Sequence, residues 1–166
     1  MLGMDHEPCK DNRLMSPLSE NYDDYHVMGQ VTPFFYEILL VDDHPLVRRG
    51  IRRIIEESAE LKVVGELDDG LELLEFLKES VPQLVILDVS MPHMGGIEAT
   101  RLVKASYPEI KVLILTLHNR REYVDQAKGA GAEGYLLKEE VDKELLSAIA
   151  TLRRGATYLS PLLSNI

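Results

Sequence analysis

The sequence predicts an α/β fold in which five parallel strands form a doubly wound sheet with five flanking helices. Short apolar runs alternate regularly with amphipathic stretches from residue 36 onward. The runs are rich in Ile, Leu and Val, which is typical of strands that are buried on both faces. The chain of 166 residues is long enough for one such domain and a tail.

The predicted strands and helices alternate along the whole patterned region. The five predicted strands are Glu37–Val41, Lys62–Leu67, Gln83–Leu87, Ile110–Leu115 and Glu133–Leu136. The five predicted helices are Pro45–Glu57, Gly70–Glu79, Gly96–Ser106, Arg120–Lys128 and Val141–Arg153. Right-handed crossovers place helices on both faces of the sheet. The expected strand order for five such strands is 2-1-3-4-5, the flavodoxin-like arrangement.

The first 35 residues show neither a strand period nor a helix period. They contain six acidic and two basic residues with scattered Pro, Gly, Asn and Ser. This composition predicts a tail or leader that is largely disordered or loosely docked.

Composition excludes several classes of protein. The formal net charge of −10 and the lack of a Lys/Arg cluster argue against non-specific nucleic-acid binding by these residues. The single cysteine, Cys9, allows neither an internal disulfide framework nor a cysteine-based metal site. The apolar runs are too short to span a bilayer, and no secretory signal is visible. We therefore expect a cytoplasmic protein without membrane contact.

Three carboxylates are predicted to meet at one edge of the sheet. Asp42 and Asp43 directly follow the first strand, and Asp88 ends the third strand. If these strands are neighbours, their ends lie about 5 Å apart. Two unit charges about 4 Å apart repel by about 4 kcal/mol at an effective dielectric of about 20, so the cluster implies a bound cation. Oxygen ligands favour Mg²⁺, with Mn²⁺ as a possible substitute, over zinc. One of the two aspartates after the first strand could instead serve as a helix cap, although a cap needs only one and two adjacent ones repel.

Two further polar residues complete the predicted pocket. Thr116 ends the fourth strand, and Lys138 follows the fifth. Each residue alone is commonplace, but the recurrence of polar side chains at successive strand ends indicates a common site. Carboxylates, a hydroxyl and an ammonium group together suit a divalent metal and a phosphoryl group.

These motifs resemble the receiver domain of bacterial two-component response regulators. Their residues are most similar to those of the NarL/LuxR-type subfamily. The resemblance covers residues 36–155. It is carried by four segments in order: VDDHP, ILDVSMPHMGG, LILT and GYLLK.

The resemblance implies a role for each matching residue. Asp88 would be the phospho-acceptor, and Lys138 would contact the phosphoryl oxygens. Thr116 would be the switch hydroxyl and Tyr135 the switch aromatic. The implied Mg²⁺ ligands are Asp42, Asp43, Asp88 and the backbone carbonyl of Ser90. His118, two residues beyond Thr116, is a candidate for tuning dephosphorylation.

The resemblance also implies a function in signal transduction without catalytic turnover. A sensor histidine kinase would phosphorylate Asp88, and the surface of the fourth helix, fifth strand and fifth helix would change to control homodimerisation or an output domain. Residues 156–166 resemble the start of a linker to a helix-turn-helix domain, through which any DNA contact would be made.

Two other functions stay open at this point. A phosphatase with an aspartate nucleophile needs a second aspartate two residues later, where this chain has Ser90 after Asp88 or His44 after Asp42. A scaffold that works without phosphorylation is the other alternative.

Overall fold

The computed structural model describes residues 34–164, which form a six-stranded parallel sheet with flanking helices. The strands are β1 (Tyr36–Val41), β2 (Leu61–Leu67), β3 (Leu84–Asp88), β4 (Lys111–Thr116), β5 (Gly134–Leu137) and β6 (Tyr158–Leu159). The helices are α1 (Pro45–Glu56), α2 (Gly70–Glu79), α3 (Gly96–Ser106), α4 (Arg121–Ala130) and α5 (Val141–Arg153). Two short 3₁₀ helices span Lys138–Glu140 and Pro161–Leu163.

The strand order is β2-β1-β3-β4-β5-β6, so the predicted order of the first five strands is confirmed. The sixth strand pairs in parallel with β5. It was not predicted because two residues are too few to show a period. The predicted N-terminal tail lies outside the described residues, apart from its last two positions.

Helices cover both faces of the sheet. On one face, Leu73 of α2, Val103 of α3 and Ala127 of α4 belong to a single buried cluster. On the other face, Ile55 of α1 and Ile149 of α5 belong to a second cluster. All five residues of β3 are buried, because this strand lies at the centre of the sheet with helices above and below it. This explains the continuous apolar run in its sequence.

Local sequence determines where the helices begin and end. Pro45 starts α1, where its missing N–H costs no hydrogen bond. Asp69 caps α2 by accepting from the backbone N–H groups of Leu71 and Glu72. Gly131 ends α4 with φ of 99°, a left-handed conformation that glycine adopts without steric cost.

The connection from β3 to α3 is unusually close. A Cβ atom at Gly96 would lie 2.1 Å from the carbonyl oxygen of Asp88. Gly96 also donates its N–H to the carbonyl of Val89. Glycine is therefore required at position 96 for the chain to turn directly behind the end of β3.

Within residues 34–164, none of the helices has both the length and the apolar character needed to cross a bilayer.

Candidate functional site

Four strand ends bring five polar residues to one edge of the sheet. Asp42 and Asp43 directly follow β1, Asp88 and Thr116 are the last residues of β3 and β4, and Lys138 directly follows β5. Because β1, β3, β4 and β5 are neighbours and parallel, these ends open on the same side. Asp42, Asp88 and Thr116 are each no more than 3% exposed. The structure thus brings together the side chains that the sequence grouped.

Lys138 connects two of the buried carboxylates. Its Nζ atom lies 2.6 Å from Asp42 Oδ2 and 3.2 Å from Asp88 Oδ1. The lysine side chain is only 10% exposed, so water screens these ion pairs little. Lys138 therefore supplies the counter-charge that permits two aspartates to be buried side by side.

The carboxylates form a cluster with the donor atoms of a hard-cation site. Asp42, Asp43, His44 and Asp88 each offer one ligand atom, and these atoms all lie within 4.8 Å of one another. Oδ1 of Asp43 is buried and accepts no hydrogen bond from the described residues, although His44 Nδ1 lies 2.8 Å from it. A buried carboxylate oxygen without a donor is suited to a metal ion, so the residues present fit Mg²⁺.

Asp88 lies in an environment that opposes its ionisation. Burial raises the pKa of this carboxyl above its ordinary value, and the charge of Asp42 acts in the same direction. Lys138 and the backbone N–H of Ser90 act in the opposite direction. A cation near Asp88 would favour the carboxylate form.

Thr116 and Tyr135 meet at the backbone of His118. Thr116 Oγ1 accepts from the His118 N–H at 3.0 Å, and the Tyr135 hydroxyl donates to the His118 carbonyl at 3.0 Å. The Tyr135 ring is 2% exposed, and burial raises the pKa of its hydroxyl to about 12. Thr116 and Tyr135, which the resemblance implies are the switch residues, therefore both contact His118.

The loops around the pocket carry contacts that the sequence did not reveal. The His118 ring stacks on Tyr123, with the two centroids 4.2 Å apart, and its Nε2 lies 3.2 Å from Ser90 Oγ. On the other side, His93 Nδ1 lies 2.9 Å from Asp69 Oδ2. His93 has a positive φ of 60°, which could not be read from its residue type. Except for the stack on Tyr123, which lies on α4, these contacts join different loops, and no periodic pattern predicts them.

Comparison with known proteins identifies the family. The family profile described as "Response regulator receiver domain" matches residues 38–150, about two thirds of the chain. The chain belongs to the response regulator receiver family. Its relatives are regulators of the NarL/LuxR type. The fold and family that the sequence predicted are thereby confirmed.

Two curated relatives match this chain over part of their own length. The response regulator UvrY of Escherichia coli K12 is 41% identical over 123 residues, which cover 74% of this chain and 56% of UvrY. The transcriptional regulatory protein DegU of Brevibacillus brevis is 36% identical over 132 residues, which cover 80% of this chain and 56% of DegU. The receiver thus spans little more than half the length of these relatives.

Solved structures agree with the fold. A LuxR-family two-component response regulator from Aurantimonas sp. SI85-9A1 superposes with a TM-score of 0.76 at 37% identity, over 79% of this chain and 94% of that chain. RcsB from Salmonella typhimurium superposes with a TM-score of 0.75 at 28% identity, over 80% of this chain and 66% of that chain.

Proposed function

We propose that Asp88 accepts a phosphoryl group from a phosphohistidine of a sensor kinase. A carboxylate oxygen of Asp88 forms a bond to phosphorus, the phosphorus–nitrogen bond breaks, and the imidazole leaves with the electron pair. The observation that supports this role most strongly is the position of Lys138, which contacts Asp88 and Asp42 together. An ammonium group there can pair with the free carboxylate before transfer and with the phosphoryl oxygens during and after it.

Asp42, Asp43, Asp88 and the backbone carbonyl of Ser90 would hold Mg²⁺, and Mn²⁺ would substitute for it. When bound, Mg²⁺ supplies positive charge that offsets the charge of the approaching phosphoryl oxygens. The buried Oδ1 of Asp43 accepts no hydrogen bond from the described residues, which supports its part in this ligand set. The contact between Ser90 and His118 fixes the side chain of Ser90 at the rim of the pocket.

The readout would begin at Thr116. We propose that its hydroxyl exchanges the His118 N–H for a phosphoryl oxygen, and that Tyr135 follows because both residues contact His118. A local change of this kind can bias the surface formed by α4, β5 and α5, and thereby homodimerisation. DNA would be contacted through an output domain, as the transcriptional role of the relatives suggests.

The test is intact mass after incubation with acetyl phosphate, with and without Mg²⁺. The wild type should gain one phosphoryl group only with Mg²⁺, and Asp88→Asn should gain none. Asp125→Asn is the matched control, because Asp125 is an exposed aspartate on α4, outside the pocket. An adduct that survives in Asp88→Asn would refute Asp88 as the acceptor.

The same samples distinguish the alternatives. Steady turnover of p-nitrophenyl phosphate would indicate a phosphatase, although the position two residues after Asp88 holds Ser90 and not an aspartate. No adduct with acetyl phosphate and no response to beryllofluoride would indicate a scaffold that works without phosphorylation.

A further inference from the structure

The residues that follow α5 are built into the sheet. Tyr158 and Leu159 form β6. The N–H of Tyr158 donates to the Glu133 carbonyl, and the N–H of Ser160 donates to the Tyr135 carbonyl, both at 2.9 Å. Leu163 is 1% exposed and packs in the same core as α2, α3 and α4. We refer to residues 158–163 as the C-terminal segment.

Ser160 is the fully buried polar residue of this segment, with 0% of its surface exposed. Its hydroxyl oxygen accepts from the backbone N–H of Leu137 at 3.0 Å. The same hydroxyl donates to the carboxylate of Glu140. A buried hydroxyl is stable only when it is hydrogen-bonded, so both contacts hold Ser160 in one orientation.

The two partners of Ser160 flank Lys138 in the chain. Leu137 is the last residue of β5, and Glu140 is the last residue of the 3₁₀ helix that begins at Lys138. The Ser160 hydroxyl therefore contacts the backbone just before the lysine and the side chain of Glu140 just after it. This matters because the lysine stem is flexible and its ammonium group must lie within ion-pair distance of both Asp42 and Asp88.

We propose that Ser160 is a positioning residue for Lys138, and that through it the C-terminal segment is coupled to the phosphorylation site. The folded receiver then includes residues that the sequence assigned to the beginning of a linker. Coupling between two sites is reciprocal. A phosphoryl group that binds Lys138 therefore also changes the stability with which the C-terminal segment packs on the sheet. This inference rests on the proposed role of Lys138.

A double-mutant cycle tests the proposal. The affinity for beryllofluoride in the presence of Mg²⁺ is measured by fluorine NMR for wild type, Ser160→Ala, Lys138→Ala and the double variant. Ser160→Ala should weaken binding by about tenfold in the wild-type background, a size typical when the partner that orients a binding side chain is removed. In the Lys138→Ala background it should have almost no further effect, since the lysine that it positions is gone.

A second pair of variants tests the same proposal if Ser160→Ala fails to fold. Glu140→Ala removes the other anchor at a position that is only partly buried. It should weaken beryllofluoride binding in the same direction, whereas Glu140→Gln keeps an oxygen that accepts from Ser160 and should restore the affinity. Tyr158→Phe is the control, because it removes a hydrogen bond of the same segment to Glu144 and leaves Ser160 unchanged.

The outcomes separate this inference from the proposed function. Equal losses from Ser160→Ala in both backgrounds, or no loss in either, would overturn the positioning role while Lys138 kept its own. If Lys138→Ala bound beryllofluoride as well as the wild type, the proposed role of Lys138 would fail and this inference with it. A loss confined to the background that retains Lys138 would establish the coupling.

Discussion

The ammonium group of Lys138 lies 2.6 Å from Asp42 Oδ2, although the two residues are 96 positions apart in the chain. Without a metal, this ion pair neutralises part of the charge of a buried acidic cluster. A metal that takes Asp42 as a ligand must share that carboxylate with the lysine. Stability and metal binding are therefore linked through Lys138.

The first prediction follows from this competition. Lys138→Met keeps the apolar stem but leaves Asp42 and Asp88 without their counter-charge. Removing one partner of a buried ion pair costs about 3–5 kcal/mol, so we expect a marked fall in the free energy of unfolding without metal. Saturating Mg²⁺ should raise the Tm of Lys138→Met more than that of the wild type. An equal or smaller Mg²⁺ effect, measured by thermal denaturation, would contradict the competition.

The second prediction concerns Asp69 and pH. The Glu72 N–H, followed by His93 and the Leu71 N–H, holds the pKa of Asp69 below its ordinary value. A carboxyl whose pKa is lowered by folding contributes stability above its unfolded pKa of about 4, and this contribution is lost as the pH falls through the folded value. Asp69→Ala should therefore cost about 1 kcal/mol at pH near 7. The difference from wild type in urea denaturation should shrink below pH of about 4.

Asp69→Asn separates the two contacts of this side chain. Asparagine still caps α2, but it lacks the charge that attracts His93. Its stability at neutral pH should lie between those of wild type and Asp69→Ala. A variant no more stable than Asp69→Ala would show that the contact with His93, and not the cap, carries the effect.

The third prediction concerns the turn behind Asp88. In Gly96→Ala, the added methyl carbon would lie 2.1 Å from the carbonyl oxygen of Asp88. Relief requires the backbone to shift, so we expect a loss of about 3 kcal/mol or more in the free energy of unfolding. Phosphorylation by acetyl phosphate should fall as well, because Asp88 itself would move.

Gly50→Ala is the matched control for Gly96→Ala. Gly50 lies within α1, and a Cβ there meets nothing within 4 Å. Alanine is the better helix former by about 1 kcal/mol, so this variant should be at least as stable as the wild type. A comparable loss in both variants, measured by urea denaturation, would refute the steric explanation.

The fourth prediction separates phosphorylation from its readout. Thr116→Ala removes the acceptor of the His118 N–H, which should lower stability by about 1 kcal/mol. It leaves Asp88 and Lys138 in place, so the mass gain with acetyl phosphate should persist. The change in association state with beryllofluoride, measured by light scattering, should be lost. Thr116→Ser retains the hydroxyl and should keep both responses, and dimerisation of Thr116→Ala like wild type would contradict the switch role.

The sequence by itself determined the first five strands, the five α-helices and the edge at which the candidate site lies. Period and composition suffice for this, because β3 and its neighbours are buried on both faces and their apolar runs end abruptly at polar residues. Asp88 and Thr116 could be grouped without coordinates, since parallel strands open their carboxyl ends on one side. The motifs then indicated the family from the order of four short segments.

Only the tertiary structure decided the side-chain contacts that join separate loops and elements. The positive φ of His93 and its pairing with Asp69, the stack of His118 on Tyr123, and the anchoring of Leu137 by Ser160 depend on how segments pack together. Such contacts leave no periodic trace, because each is made by one side chain whose partner is chosen by geometry. For the same reason, β6 and Ser160 could be identified as parts of the sheet only after the chain had folded.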